Sequence, residues 1–309
     1  VIMASRGCPL RCSYCAVSAD SGLPYRKRGV VSVLREIERA VLADNVGFID
    51  FEDENLTIDR AWFMELITAI SALRKSSDFE LRAMNGLYPP SLDEPMIIAM
   101  RDAGFRTLNL AVGSFDGQQL KQFRRPDVGR AHDNVLKLCQ KHGLDAVSYI
   151  IAGAPGQAAA TTLDDLLRLA RQHSIVGLSV FYPAPGSLDY QRAVDLGILP
   201  QHLSLMRSST LPLNHTTSRL ETVTLLRLSR IINFIKSLEK EQVKLPRPQS
   251  FCGADPGADL ERSEKGILLL SWFLADGIIR GITPEGDVYE HPTALHLTRK
   301  FIRKFFPAG

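Results

Sequence analysis

Residues 6–15 read RGCPLRCSYC and place Cys8, Cys12 and Cys15 within eight positions. No further cysteine follows before Cys139, and Cys252 is the fifth and last. Three thiolates on one loop can hold a metal centre, but they leave a four-coordinate ion or a four-iron cubane one ligand short. Zinc would need a fourth ligand, and all of the seven histidines lie far from the triplet in sequence. A redox Cys12–Cys15 pair leaves Cys8 without a role. An iron–sulfur cluster with one iron open to another molecule is the strongest reading. The rival is a non-catalytic module that holds zinc or a structural cluster.

The elements that must position this loop have a strand-then-helix rhythm. Residues 1–5 (VIMAS) read as a first buried strand, ending just before the cysteines. Further strands are expected at 47–53, 79–84, 105–113, 145–153 and 175–183. Helical spacing of apolar residues predicts helices at 32–44, 61–75, 92–104, 132–143 and 161–173. Such alternation calls for parallel βαβ units, whose crossovers need a dozen residues or more. The expected fold is therefore α/β, a parallel barrel or partial barrel, with chemistry at the C-terminal strand ends. The cysteines fall just past the first such end. After Pro183 the rhythm changes. A long helix at 218–241, a Pro- and Gly-rich loop at 246–259, a helix at 261–277, a hairpin at 278–291 and a last helix at 293–306 are predicted. The expected division is a barrel over 1–200 and an accessory region over 201–309.

Composition excludes several classes. The 309 residues are 45% hydrophobic and 23% charged, with a formal charge of +3. That charge does not by itself indicate nucleic acid as a partner, and the one basic run, PYRKRG at 24–29, is short. No apolar run reaches the roughly 18 residues of a membrane span; GILLLSWFLADGII at 266–279 is broken by Asp276. An odd cysteine count points to a reducing, cytoplasmic compartment. The chain opens on Val1, and a further region upstream is expected.

CPLRCSYC is CxxxCxxC with an aromatic residue, Tyr14, before the last cysteine. It resembles the signature of the radical S-adenosylmethionine (radical SAM) enzymes. The resemblance implies a partial (β/α)6 TIM-like barrel with a C-terminal helical and hairpin extension. It implies a [4Fe–4S] cluster on Cys8, Cys12 and Cys15, with SAM chelating the free iron and Tyr14 as a candidate cofactor-binding residue. The reduced centre then cleaves SAM to methionine and a 5′-deoxyadenosyl radical, which takes hydrogen from a substrate the sequence does not identify. A reductant such as flavodoxin or ferredoxin is implied as a partner.

Further motifs resemble the subgroup that often carries a cobalamin-binding domain. FIDFEDENLTID (48–59) is similar to its second-strand acidic motif, which makes Asp53 the candidate to bind the SAM amino group; a solvated acidic turn is the bland alternative. Asn85-Gly86-Leu87 resembles the third unit. LNLAVGSF (108–115) departs from the usual Glu-Ser, with Gly113-Ser114 instead, so Ser114 is the remaining cofactor candidate there. YIIAGAPGQ (149–157) resembles the fifth-strand motif, with Gly153 admitting the adenine. FYPAPGSLDY (181–190) resembles the end of the sixth. Cobalamin is expected only through a missing upstream domain, since this chain has no Asp-x-His-x-x-Gly loop. Cys139 reads as a packed free thiol and Cys252 as an incidental loop cysteine.

Overall fold

The computed structural model describes residues 1–17, 22, 24–205, 211–253 and 260–306. The second half of the expected 246–259 loop lies outside them. The chain divides into two compact units. One comprises residues 1–150, 172–177 and 183–197, the other residues 151–171, 178–182 and 198–309.

Six strand positions follow one another in chain order. Ile2 bridges Phe51 in parallel, just after β3 (Phe48–Asp50). β3 pairs parallel with β4 (Glu80–Arg82). Leu81 bridges Phe105, and Leu87 bridges Leu110, both parallel. β5 (Thr107–Gly113) pairs parallel with β6 (Asp145–Ala152), and β7 (Ile175–Val180) neighbours β6. Among the described residues no pairing joins the last strand to the first. This is a partial barrel, as expected. The burial pattern of β6 alternates strictly along its length, one face turned inward.

The first strand differs from its expected form. Only Ile2 makes the parallel bridge to Phe51. The chain then forms β1 (Ser5–Arg6), which pairs antiparallel with β2 (Arg26–Lys27). The cysteine loop is thus the excursion of a small hairpin, not a plain strand-to-helix turn.

The first unit is closed by helices α1 (Val30–Leu42), α2 (Arg60–Arg74), α3 (Glu94–Ala103) and α5 (Gly129–His142). Their apolar stripes supply Ile37, Phe63, Ile67, Ile97 and Met100, all fully buried against Leu81, Phe105 and Leu108 of the strands. Deleting a ring such as Phe63 costs about 3–5 kcal/mol. Asp59 and Asp93 cap α2 and α3 by accepting from the Trp62 and Met96 amides. Two short helices complete this unit, α4 (Gly117–Gln122) and α7 (Leu188–Asp195).

In the second unit α6 (Ala159–Ala170) packs on α8 (Arg219–Lys240) and α10 (Leu295–Phe305). Ser218 and Glu221 form a reciprocal capping box at the start of α8. α9 (Arg262–Asp276) leads into the antiparallel pair β8 (Arg280–Ile282) and β9 (Val288–Glu290). Among the described residues, no helix is long and apolar enough to cross a membrane.

Candidate iron–sulfur loop

The root of the cysteine loop is held by two carboxylates at the end of β3. Asp53 accepts the Ala4 amide at 3.1 Å, the Ser5 amide, and the Ser5 hydroxyl at 2.5 Å. Glu54 accepts the Gly7 amide at 2.9 Å. Gly7 itself has φ +83°, and a Cβ there would meet the Pro24 carbonyl oxygen at 2.7 Å, so only glycine lets the chain turn here. The Asp53 carboxyl is 2% exposed. Burial pushes its pKa above the usual range, the bonds from Ser5 and Ala4 oppose that rise, and Glu54 adds to it. Sequence reading offered Asp53 to the SAM amino group; the structure gives its oxygens three donors from the first strand.

The tip of the loop is clasped by α4 and α7. The Ser13 amide donates to the Phe123 carbonyl at 2.9 Å. The Ser13 hydroxyl is 2.7 Å from Asp189 Oδ2, and the Asp189 amide returns a bond to the Ser13 carbonyl at 2.9 Å. Asp189 is buried and also paired to Arg192 at 2.5 Å. Tyr14 lays its ring edge-on to Phe123, with centroids 5.1 Å apart. Burial, more than any neighbouring charge, pushes the Tyr14 phenol up, and Arg125 opposes it.

Two residues that sequence reading missed reach the sulfurs. Asn55 Nδ2 lies 3.4 Å from Cys8 Sγ. Arg125 is buried, donates to the Val112 and Ala111 carbonyls, and brings Nη1 to 3.1 Å from the Tyr14 hydroxyl and 3.6 Å from Cys12 Sγ. Asn55 directly follows the acidic run, and that adjacency was its available signal. Arg125, in the irregular stretch after α4, had none.

Cys8 and Cys12 are buried, and Cys15 is partly so. Burial raises the Cys15 thiol, and the charges of Cys12, Cys8 and Glu54 raise it further. Among the described residues no three His, Cys, Asp or Glu side chains are gathered as a closed ligand set. The donor set fits an iron–sulfur cluster: three soft ligands on one loop, with N–H groups aimed at two of the sulfurs. The Asn55 side-chain oxygen is buried and has no hydrogen-bond partner among the described residues.

The other candidates are placed as follows. Ser114 is 1% exposed and accepts the Asp116 amide at 3.1 Å in the turn into α4. A Cβ on Gly113 would come within 3.1 Å of Arg125 Cδ, so the departure from glutamate leaves room for that arginine. Asn85 donates to Glu52 at 2.9 Å. Gly153 belongs to the second unit, with φ +81°. A Cβ there would meet Thr222 Oγ1 at 3.0 Å, and its carbonyl lies 2.9 Å from His215 Nε2. Cys139 is packed in the core with its thiol pushed up to about 12 by burial, and Cys252 is exposed.

Known proteins are similar to this chain in sequence and in fold. An uncharacterised methyltransferase of Pyrococcus horikoshii is 22% identical over 201 residues, covering 64% of this chain and 43% of the relative. The anaerobic magnesium-protoporphyrin IX monomethyl ester cyclase of Cereibacter sphaeroides is 24% identical over 193 residues, 62% of this chain and 31% of the relative. The chain thus spans less than half the length of these curated relatives. Among solved structures, the radical S-adenosylmethionine methyltransferase TsrM of Kitasatospora setae, with cobalamin and a [4Fe–4S] cluster bound, superposes with a TM-score of 0.54 at 19% identity. That match covers 65% of this chain and 40% of that one. Methylornithine synthase superposes at 0.52 with 15% identity, over 75% of this chain and 61% of that one. The sequence profile of the radical SAM superfamily matches residues 2–170, more than half of the chain, and the chain belongs to that superfamily.

Proposed function

We propose that the chain is the catalytic barrel of a radical SAM enzyme, with Cys8, Cys12 and Cys15 as the three cluster ligands. The observation that carries this reading is the loop itself: three cysteines at the first strand end, anchored at root and tip, with Asn55 and Arg125 donating towards two sulfurs. When bound, a [4Fe–4S] cluster with SAM on its open iron supplies reductive cleavage of SAM and a 5′-deoxyadenosyl radical that abstracts hydrogen. Asp53 and Glu54 fix where the loop starts. Ser13 and Asp189 fix where it turns back. Arg125 brings a fixed positive charge against the Cys12 sulfur. Tyr14 lies beside Arg125 at the edge of the site, and Ser114 at the end of β5 stays the candidate there for cofactor contact. The relatives are methyltransferases and a cyclase. We therefore read the reaction as carbon-centred methyl transfer or ring closure on a small-molecule substrate, with cobalamin as the co-reactant in the methyl-transfer variant.

Anaerobic reconstitution with iron and sulfide, reduction, and addition of SAM tests the reading. A brown protein with about four irons per chain that yields 5′-deoxyadenosine is the expected result. Cys8→Ala, Cys12→Ala and Cys15→Ala each lose most of the iron and all cleavage, and Cys252→Ala loses neither. A colourless protein holding one zinc, or an intact cluster in Cys12→Ala, defeats the assignment.

A further inference from the structure

The hairpin that launches the cysteine loop carries a charge arrangement that the proposed chemistry does not use. In the antiparallel register of β1 and β2, Arg6 stands directly opposite Arg26. Like charges facing each other across a strand pair destabilise it. Both residues are exposed, and neither has an acidic or aromatic partner among the described residues. The neighbouring cations are different. Lys27 is paired with Asp59, and Arg28 with Glu36 at 2.6 Å. Together Arg6, Arg26, Lys27, Arg28 and Glu36 line a pocket of about 390 Å³ with Met3 and Ser5. Four cations and one carboxylate give it a positive excess, and its two unmatched charges are Arg6 and Arg26.

The position of the pocket narrows what it would hold. Arg6 is two residues before Cys8, about 7 Å of backbone at most. The pocket therefore opens at the root of the loop that would carry the cluster. Reductive cleavage needs an electron from outside the chain, delivered close to those cysteines. We propose that this cationic hairpin is the docking face for an acidic, low-potential electron-carrier protein, with carboxylates of the carrier meeting Arg6 and Arg26. This rests on the cluster assignment above. One electron leaves the carrier and enters the cluster; no bond forms or breaks. A carboxylate between the two arginines offsets the cross-strand repulsion that the free chain retains, so docking and hairpin stability reinforce each other.

Stopped-flow reduction of the reconstituted protein provides the test, with reduced flavodoxin as the acidic carrier and methyl viologen radical as a small donor with no negative charge. Wild-type reduction by flavodoxin is expected to slow steeply as salt rises, because steered encounter is screened. The double variant Arg6→Glu/Arg26→Glu is expected to lose at least about tenfold in that rate at low salt and to lose the salt dependence. Arg6→Lys/Arg26→Lys keeps both, and viologen reduces all three proteins equally. A flavodoxin rate unchanged by charge reversal overturns the proposal. So does an equal loss with viologen, which would make the arginines part of the loop's own structure. Saturable binding of inorganic phosphate to the pocket with no effect of the variants on flavodoxin would make it an anion site instead, and also overturns it. A wild-type chain that takes up no cluster fails the parent assignment, a result distinct from a cluster that forms and is reduced without regard to Arg6 and Arg26.

Discussion

At the scale of single residues, Asp53 shows how one carboxylate can be read in two ways. The acidic run at the end of the second predicted strand marked it as a group facing a cofactor. Its oxygens take two backbone amides and a hydroxyl from the first strand. Asp53→Ala leaves two buried amides without acceptors, at a cost of about 1–3 kcal/mol. The variant is expected to unfold at lower denaturant and to retain less iron; a fall in SAM affinity alone, with stability unchanged, would favour the direct-contact role. The three cysteines were legible because their spacing is local and chemically specific. Asn55 and Arg125 were not, because an N–H aimed at a sulfur is set by the fold and leaves no periodic trace. Arg125 lies 113 positions from the Cys12 it approaches.

Among the elements, the strand and helix alternation of the barrel was largely legible, because buried parallel strands read as short apolar runs and their helices as 3.6-residue stripes. The predicted helices at 61–75 and 92–104 are found as Arg60–Arg74 and Glu94–Ala103. The hairpin of β1 and β2 escaped, since its strands are two residues each, too short for any period. The helix Gly117–Gln122 escaped for a similar reason: GQQLKQ has one apolar residue and no stripe. Yet this helix and α7 hold the tip of the cysteine loop. Ser13→Ala removes the hydroxyl that partners buried Asp189, whose pKa burial already pushes up and which Ser13 and the nearby arginines pull back. The expected loss is about 1–3 kcal/mol, with faster release of iron to a chelator under anaerobic conditions. Ser13→Thr, which keeps the hydroxyl, is expected to hold iron like the wild type. Equal iron retention in Ser13→Ala would show that the clasp does not govern the loop.

At the scale of the whole molecule, stability should depend on pH through a buried lysine of the second unit. Lys236 of α8 donates to the Leu169 carbonyl at 2.7 Å, and burial lowers its pKa to about 8. Between that value and the ordinary lysine value the unfolded chain binds more protons than the folded one, so stability rises with pH across this window. Below it the full cost of the buried charge is present. Denaturant midpoints at about pH 7 and about pH 9.5 should differ in that direction, and Lys236→Met should flatten the difference. A slope unchanged in Lys236→Met would assign it to other groups. The clasp on the cysteine loop has a consequence of another kind, in the order of events during synthesis. Asp189 follows Ser13 by 176 residues. At about 5–20 residues per second the ribosome needs on the order of ten seconds or more to make the intervening chain. For most of that time the three thiols are out of the ribosome while the carboxylate that holds the tip of their loop does not yet exist, so under the cluster assignment proposed above metal delivered to the nascent chain would meet an unfinished site.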